Sequence, residues 1–215
     1  MLEIMIERVK KVSRISKIII ATTSDPSDDE IENVAKKIGV NCYRGSIDDV
    51  YSRVLNAAKE FKAKNIVALT GDCPLIDSKL IDHCIDDFIK LKPDYLSNAL
   101  IRELPDGMDC QVLSFKCLES INSEKLTKLD REHVTLYIRK NPKKFKLHHV
   151  KENSSFYWPE LGLTLDEKED FVLISKILDN FYPNLNFSLQ EIIEYLKKNV
   201  NLISINSNVN RKGDS

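Results

Sequence analysis

One stretch of the sequence decides the fold: Ile66-Val67-Ala68-Leu69-Thr70-Gly71-Asp72-Cys73-Pro74-Leu75-Ile76-Asp77. Its first five residues are apolar or small and predict a buried strand. The Gly71-Asp72 pair predicts a turn, and Pro74 prevents the strand from continuing. Asp72 therefore stands at the carboxyl end of a sheet strand, where open α/β sheets bind their ligands.

Around this stretch, the first hundred residues alternate between helix and strand patterns. Three consecutive isoleucines predict a buried parallel strand, Gly39 ends the second predicted helix, and Asp77 caps the fourth. The predicted helices cover residues 2–12, 27–39, 48–63 and 78–91, and the predicted strands cover residues 17–22, 40–43, 65–70 and 94–97. This alternation predicts an α/β fold with a mostly parallel sheet wrapped by helices.

The second half of the chain interrupts the alternation. After a polar loop at residues 98–109, strands are predicted at residues 111–115, 145–150 and 161–165, and helices at residues 130–139, 167–181 and 189–198, the first of them with Asp130 as its N-cap. We interpret residues 98–165 as a lobe inserted over the sheet edge, because no linker separates them from the rest. The predicted domain covers residues 1–206, and residues 207–215 form a polar tail.

The composition is that of an ordinary globular protein. The 215 residues suffice for one domain with a full core, and 42% apolar with 30% charged residues is typical of such domains. The net charge of −1 predicts neither a nucleic-acid partner nor an anionic membrane surface as partner. No apolar run approaches the roughly 18 residues that a membrane span requires.

The cysteines predict a reducing compartment. There are five, an odd number, and no pair has C-x-x-C spacing, so we expect free thiols and a cytoplasmic protein. The first 20 residues lack the pattern of a secretory signal peptide. The four histidines form no H-E-x-x-H motif, which argues against a zinc site.

Several catalytic and nucleotide-binding motifs do not occur in the sequence. Neither G-x-G-x-x-G nor G-x-x-x-x-G-K-[ST] is found, which argues against a dinucleotide fingerprint and a P-loop. The absence of G-x-S-x-G argues against an α/β-hydrolase. Chemistry must therefore come from polar clusters that follow the predicted strands.

Two predicted strand ends carry an aspartate, Asp72 and Asp166. Mg²⁺ is usually held by one or two carboxylates together with substrate phosphates, so this pair suits a nucleoside triphosphate and its metal. The alternative for Asp72 is a turn aspartate bonded to its own backbone, and the alternative for Asp166 is a helix N-cap.

Three further polar clusters follow or precede predicted strands and helices. Arg44-Gly45-Ser46 could hold an anion through its guanidinium and backbone amides, or form a strand-to-helix turn. Pro105-Asp106-Gly107 has the pattern of a turn. In Asp130-Arg131-Glu132-His133 the cation opposes the helix dipole, which indicates an anionic ligand or a carboxylate partner. His133 could be an acid or base, or an ordinary surface histidine.

Taken in chain order, these clusters resemble the motifs of one family. The motifs are Arg44-Gly45-Ser46-x-Asp48-Asp49-Val50, Thr70 to Asp77, Asp94-Tyr95-x-Ser97-Asn98, Pro105-Asp106-Gly107, Arg131-Glu132-His133-Val134-Thr135 and Thr164-x-Asp166-x-x-x-Asp170-Phe171. They resemble the cytidylyltransferases of the spore-coat polysaccharide biosynthesis protein F type, which are similar to CMP-KDO and acylneuraminate cytidylyltransferases. The match runs from about residue 2 to residue 206.

The resemblance implies a fold and a reaction. The fold is the Rossmann-like nucleotide-diphospho-sugar transferase fold, and the reaction transfers CMP from CTP to a hydroxyl of an acidic or surface-polysaccharide sugar, releasing pyrophosphate. By motif position, Asp72 and Asp166 would be the catalytic residues that hold Mg²⁺, with Asp170 in support. Nucleotide-binding residues would be Arg44, Gly45, Ser46, Thr70 and Gly71, and substrate-binding residues would be Asn98, Asp106, Gly107, Arg131, Glu132 and His133. A homodimer is also implied.

The sequence departs from the family at its start and at Gln111. The family begins with a strand and a loop of the form Arg-x-Gly-Ser-x-Arg-Leu-Pro-Gly-Lys, which holds the triphosphate, and the 215 residues contain no such segment. Three explanations remain open: a misassigned start, a truncated inactive copy, or a strand supplied by another polypeptide. Gln111 occupies a position where the family usually carries glutamate.

Two other functions remain open at this point. A glycosyltransferase on the same fold would consume a nucleotide sugar and release a nucleoside mono- or diphosphate instead of pyrophosphate. An inactive homologue would keep the fold as a binding or scaffold protein. The acceptor sugar is not predicted by the sequence, because the shape of the pocket decides it.

Overall fold

The computed structural model describes residues 1–211. Within them, six strands form: β1 (Ile19–Thr23), β2 (Asn41–Gly45), β3 (Asn65–Ala68), β4 (Tyr95–Ser97), β5 (Gln111–Ser114) and β6 (Leu147–His149). The α-helices of the same residues are α1 (Leu2–Val9), α2 (Asp29–Ile38), α3 (Val50–Glu60), α4 (Ser78–Leu91), α5 (Phe115–Ser120), α6 (Lys128–Glu132), α7 (Leu136–Lys140), α8 (Lys168–Phe181), α9 (Leu189–Lys198) and α10 (Val200–Ile203). Short 3-10 helices lie at Pro26–Asp28, Ile121–Ser123 and Ser154–Phe156. The predicted alternation of the first hundred residues is confirmed.

The strands form two separate sheets. β1 and β2 pair in parallel, with Ile19 opposite Asn41 and Thr23 opposite Gly45. The second sheet has the order β3-β5-β4-β6, in which β5 runs antiparallel to both of its neighbours and β6 runs parallel to β4. The α/β class is confirmed, while parallel and antiparallel pairs are mixed, because the loop before β5 reverses the chain.

Local signals set several helix ends as predicted. The Asp77 carboxylate accepts a hydrogen bond from the backbone N–H of Lys79 at 2.8 Å and caps α4. Gly39 ends α2 with a φ of +70°, the left-handed conformation that glycine adopts without strain.

The helix predicted at residues 130–139 is wrong in its start and in its continuity. The N-cap is Thr127: its hydroxyl accepts from the Asp130 N–H at 3.1 Å, and the Asp130 carboxylate accepts from the Thr127 N–H at 2.9 Å. Val134 then has a φ of +47°, which ends α6 and separates it from α7. Thr127 and Asp130 are both good N-cap residues, and only their reciprocal bonds identify the cap.

The strand predicted at residues 161–165 is reduced to a single parallel bridge between Asp106 and Gly162. Leu163 donates its backbone N–H to the Asp106 carbonyl oxygen at 2.8 Å. Gly107, with a φ of +98°, lies so close that a β-carbon there would stand 2.7 Å from the Leu163 carbonyl carbon. This pairing fastens the polar loop of residues 98–109 to the segment that leads to Asp166.

Helices cover both faces of β3. Val67 packs against a cluster built from α1 and α4, and its neighbour Ile66 packs against a cluster that contains α3 residues. Successive strand residues point to opposite faces, so this arrangement is that of a strand inside an α/β/α sandwich. A third cluster joins α8 and α9 to the loop after β3.

Arg8 fixes α1 to the rest of the molecule. Although only 3% exposed, its guanidinium donates to four backbone carbonyl oxygens, those of Leu75, Ile76, Leu185 and Phe187, at 2.6 to 3.1 Å. It also lies over the Phe187 ring, 4.1 Å from the centroid. The buried guanidinium of Arg8 therefore fixes the loop that follows Asp72 through the carbonyl oxygens of Leu75 and Ile76.

No helix within residues 1–211 is long and apolar enough to cross a membrane. Of the predicted polar tail, the structure describes residues 207–211, and residues 212–215 lie outside the described part. The predicted domain boundary after residue 206 and the inserted lobe stay predictions.

Candidate active site

A cleft of about 1270 Å³ separates the two sheets. One half of it is apolar and is lined by residues of α1, β1, α3, β3 and α4. The other half is polar and lies beyond the carboxyl end of β3. The predicted site residues that line it are Thr70, Gly71, Asp72, Asp106, Glu132, His133 and Asp166.

Asp72 lies four positions beyond the last residue of β3, Ala68, and is partly exposed in the wall of this cleft. Its carboxylate accepts a hydrogen bond from the Cys73 thiol at 3.3 Å, and the thiol also contacts the Thr70 hydroxyl at 3.2 Å. Burial first, and then the charge of Asp72, raises the pKa of Cys73, so the thiol keeps its proton and remains a donor. The Asp72 carbonyl accepts from the Leu165 N–H at 2.8 Å, which joins the two predicted strand ends.

Asp166 supplies the second carboxylate, and its side chain is 50% exposed. The Thr164 hydroxyl donates to Asp166 Oδ2 at 2.7 Å, and Arg211 Nη1 lies 3.5 Å from the same oxygen. Because Leu165 is bonded to the Asp72 loop, Asp166 is one residue away from that contact. The two carboxylates therefore belong to neighbouring segments of one wall.

Asp170 holds the Asp166 segment in position. It is fully buried and accepts hydrogen bonds from the backbone N–H groups of Asp166 at 3.2 Å and Glu167 at 3.0 Å. It also accepts from Asn206 Nδ2 at 2.7 Å and Arg211 Nη2 at 2.6 Å. Burial raises the pKa of Asp170, but these four hydrogen bonds outweigh it and leave the pKa below its usual value. Asp170 is thus an ionised anchor.

The chemistry of the Asp72 and Asp166 carboxylates fits a hard divalent cation. Within residues 1–211 there is no cluster of three or more histidine, cysteine, aspartate or glutamate side chains that could form a complete metal site. Mg²⁺ does not require one, because it keeps several waters and binds through one or two carboxylates and the phosphates of its substrate. Asp72 and Asp166 meet this requirement.

The predicted substrate residues of the cleft wall lie among further charged groups. Asp106 Oδ1 is 3.6 Å from Arg102 Nη1, and Arg102 also forms a bidentate ion pair with Asp109 at 2.6 and 2.9 Å. His133 precedes Val134, whose positive φ is rare for a β-branched residue and marks local backbone strain in the wall.

The remaining predicted residues do not line the cleft in the described part of the chain: Arg44, Gly45, Ser46, Asn98, Gly107 and Arg131. The Asn98 amide is buried and braces the polar loop, donating to the Met108 carbonyl at 2.9 Å and accepting from the Cys110 N–H at 2.8 Å. Their contacts with a substrate or nucleotide stay predictions.

Arg44 joins the ends of β1 and β2 to α2. Its guanidinium donates to the carboxylates of Asp29 and Glu32, each at 2.9 Å, and to the backbone carbonyl oxygens of Thr23 and Asp25. The hydrogen bond to Asp29 is the main reason that the pKa of Arg44 is raised. This arrangement favours the turn interpretation of Arg44-Gly45-Ser46.

Arg131 has a carboxylate partner, one of the two interpretations of its cluster, although it lies in the last turn of α6 and not in the first turn of a helix as predicted. Its Nη1 donates to Asp49 Oδ2 at 2.6 Å, and its guanidinium carbon lies 6.0 Å from the centre of the Tyr51 ring. The pair fastens α6 to the start of α3, across 82 positions of sequence.

The cleft contains residues that the sequence did not single out for it: Arg102, Thr135, Arg139 and Arg211. Arg102 had a local signal in the sequence, because it is a basic residue four positions before Asp106. No local signal existed for Arg211, since it contacts Asp170 across 41 positions. Gln111, the departure from the family, also lines the cleft, and its Oε1 accepts from Tyr95 Oη at 3.0 Å and Thr135 Oγ1 at 2.7 Å.

Comparison with known proteins covers nearly the whole chain. Residues 1–207 match the family model described as cytidylyltransferase. The chain is 30% identical over 204 residues to the spore coat polysaccharide biosynthesis protein SpsF of Bacillus subtilis, covering 93% of this chain and 84% of that protein.

Solved structures agree with this relationship. A cytidylyltransferase from Leptospira borgpetersenii superposes with a TM-score of 0.89 at 34% identity, covering 99% of this chain and 87% of that one. The CMP:2-keto-3-deoxy-manno-octonic acid synthetase complexed with CTP gives a TM-score of 0.52 at 10% identity, covering 70% and 78%, which is a likeness of fold. The predicted fold and the predicted resemblance are confirmed. The chain belongs to the cytidylyltransferase family.

Proposed function

We propose that this protein transfers CMP from CTP to a hydroxyl group of a sugar and releases pyrophosphate. The observation that carries the proposal is the pair Asp72 and Asp166, a partly exposed and an exposed carboxylate on adjoining segments of one cleft wall. Family membership supports the reaction, and the similarity to a polysaccharide biosynthesis protein supports a sugar acceptor. The fold likeness to a synthetase complexed with CTP supports the nucleotide.

Asp72 and Asp166 would hold Mg²⁺, together with phosphate oxygens of CTP. When bound, the metal would supply a Lewis acid that stabilises charge developing on the phosphate oxygens. Asp170 keeps the Asp166 segment in register, and Thr164 orients the Asp166 carboxylate through its 2.7 Å hydrogen bond.

The remaining residues of the polar half would bind and orient the reactants. Asp106, Glu132 and His133 line the cleft and offer hydrogen-bond acceptors and an imidazole to the hydroxyls of the sugar. Arg102 and Arg211 add positive charge where the triphosphate would lie. The sugar hydroxyl would attack the α-phosphorus in line with the departing pyrophosphate, so positioning and electrostatics would supply most of the catalysis.

We also propose a cytoplasmic location and a homodimer. The five cysteines of the chain are free, which suits a reducing compartment. The dimer is supported by the family resemblance.

The test measures pyrophosphate release from CTP and Mg²⁺ across a panel of acidic and neutral sugars. We expect acceptor-dependent release by the wild-type protein and almost none by Asp72→Asn or Asp166→Asn, with circular dichroism unchanged. Asp179→Asn, a change of an exposed carboxylate on α8, is the matched control and should keep full activity.

Two results would contradict the proposal. Wild-type pyrophosphate release by Asp72→Asn would exclude its metal role. Release of a nucleoside mono- or diphosphate from a nucleotide sugar, with no pyrophosphate from CTP, would support the glycosyltransferase alternative instead.

A further inference from the structure

Gln111 lies at the ligand-binding end of the second sheet. It is the first residue of β5, which runs inside that sheet between β3 and β4 and is antiparallel to both. Gln111 is paired with Ala68, the last residue of β3, and with Ser97, the last residue of β4. It therefore stands at the carboxyl ends of two strands, where open α/β sheets bind ligands. Its half-buried side chain lines the cleft.

Two hydroxyl groups fix one end of the Gln111 amide. Its Oε1 accepts hydrogen bonds from Tyr95 Oη at 3.0 Å and from Thr135 Oγ1 at 2.7 Å. Both donor residues are only 1% exposed, and burial raises the pKa of Tyr95 to about 12, so the phenol keeps its proton. This orientation of the amide uses both hydroxyl protons, whereas the reverse orientation would set the Nε2 donors against them.

The hydrogen bond from Thr135 joins Gln111 to the turn between α6 and α7. Thr135 is the N-cap residue of α7, and the two residues before it, His133 and Val134, also line the cleft. The positive φ of Val134 turns the backbone sharply at this point, and the bond to Gln111 fastens the residue that follows. We call Gln111, His133 and Thr135 the Gln111 corner.

Nε2 is the group of the Gln111 amide that can meet a ligand. Within residues 1–211 it donates to no other group, and its two N–H groups are donors only. A ligand atom beside it must therefore accept a hydrogen bond. A hydroxyl can do so, but a hydroxyl could equally donate to a carboxylate in the same place. An oxygen that carries no proton can only accept, so it alone requires the amide.

A glutamate in place of Gln111 would reverse this selection. The same two hydroxyls would hold one carboxylate oxygen, and the second oxygen would present a negative charge to the ligand. A proton-free oxygen would then lose its donor, and an anionic one would also meet a like charge. Gln111 is a position where this chain departs from its family, so the departure changes what the Gln111 corner can bind.

We propose that Gln111 is a specificity-determining residue that selects the acceptor sugar by donating a hydrogen bond from Nε2 to a proton-free oxygen, that of a carboxylate or of an acyl carbonyl group. This inference rests on the proposed transfer to a sugar and deepens it. Thr135 cannot take the same role, because its hydroxyl proton is bonded to Gln111. A sugar is favoured over the triphosphate because Gln111 is bonded to the α6–α7 turn and not to the wall of Asp72 and Asp166.

Direct binding tests the inference without requiring catalysis. The probes are glucose, galactose and mannose, each compared with its uronic acid and with its N-acetylated 2-amino sugar. Each sugar is titrated into ¹⁵N-labelled protein, with and without CMP, while the assigned side-chain amide signal of Gln111 is followed. We expect this signal to shift with a uronic acid or with an N-acetylated sugar, which identifies the oxygen. That sugar should bind at least about tenfold more tightly than its parent hexose.

Gln111→Glu is the decisive variant, because it keeps the volume of the side chain and both hydroxyl hydrogen bonds. We expect an unchanged melting temperature, at least about tenfold weaker binding of the preferred sugar, and unchanged binding of the parent hexose and of CTP. Gln190→Glu changes the other glutamine of the chain, which is exposed on α9, and should bind every probe as the wild type does. If Gln111→Glu does not fold, the amide signal of the wild-type protein decides the question.

Three results would overturn the specificity role: no sugar shifts the Gln111 amide signal, Gln111→Glu keeps the wild-type order of affinities, or Gln111→Glu weakens CTP instead of the sugar. The last result would place Nε2 against a phosphate. Pyrophosphate release judges the proposed function separately. Release with an unchanged acceptor preference in Gln111→Glu would keep that function and remove the specificity role. Altered sugar binding without any pyrophosphate release would do the opposite.

Discussion

The position of Asp166 depends on Asp170. Asp170 is fully buried and accepts hydrogen bonds from Asn206, Arg211 and the backbone of Asp166 and Glu167. Each of these donors is a group that loses its partner when the carboxylate is removed. The position of Asp166 relative to Asp72 therefore depends on Asp170, which does not itself line the cleft.

We expect Asp170→Ala to lower the free energy of unfolding by about 3 kcal/mol, because the buried donors and the Arg211 charge lose their partner. Urea denaturation measures this change. Asp179→Ala, on the exposed side of the same helix, should change stability by less than about 0.5 kcal/mol. Equal stability of the two variants would contradict the anchoring role.

At the scale of secondary structure elements, Arg8 adds buried polar contacts to the apolar packing of α1. Arg8 donates to carbonyl oxygens of the loop after Asp72 and of the segment before α9. Arg14, only six positions later, makes an ion pair with Asp86 in which both side chains are more than half exposed. The two arginines differ mainly in burial, which makes them a natural comparison.

We expect Arg8→Met to destabilise the protein by about 3 kcal/mol or more, because three buried carbonyl oxygens and the part-buried one of Leu185 lose their donor. Arg14→Met should cost less than about 1 kcal/mol, as exposed ion pairs do. Chemical denaturation of both variants measures the difference. A smaller loss for Arg8→Met than for Arg14→Met would refute the assignment.

The junction of β1 and α2 responds to pH. Asp28 accepts hydrogen bonds from the hydroxyls of Thr22 and Thr23 at 2.7 and 2.6 Å and from the Thr23 N–H at 3.0 Å. These hydrogen bonds, that of Thr23 first, lower the pKa of Asp28 from 3.8 to about 2. A carboxyl whose folded pKa is lowered stabilises the fold above its unfolded pKa and loses that contribution as pH falls toward the folded value.

We therefore expect the wild-type protein to be more stable than Asp28→Asn at pH 5 and above. The difference should shrink as the pH falls from about 4 to about 2. Urea denaturation of both proteins at several pH values measures it. A difference that stays constant over this range would show that the ionised form of Asp28 contributes nothing.

At the scale of the whole molecule, the sequence predicts those features that local patterns determine. The two strand-end aspartates share a cleft wall, because the carboxyl ends of neighbouring segments meet at one end of the fold. Asp77 and Gly39 set helix ends through contacts within a few residues. The alternation of helix and strand predicts the α/β class for the same reason.

Other features depend on contacts between distant residues, and the sequence alone does not indicate them. Arg211 meets Asp170 across 41 positions, Arg131 meets Asp49 across 82, and Arg8 meets Phe187 across 179. The antiparallel position of β5 depends on how the polar loop returns, for which the sequence has no periodic signal. The prediction of Asp130 as the N-cap is wrong for a different reason: Thr127 and Asp130 are both good N-cap residues, and the sequence alone does not distinguish them.

Calorimetric titration with CTP, in the presence of Mg²⁺ or of EDTA, tests the proposal that Asp72 and Asp166 bind a metal-bound CTP. We expect binding in Mg²⁺ that weakens at least about tenfold, or 1.4 kcal/mol, in EDTA and in each of Asp72→Asn and Asp166→Asn. Asp179→Asn should bind as the wild type does. No binding by the wild type would support a scaffold protein, and affinity that is independent of Mg²⁺ and of both aspartates would contradict the proposal.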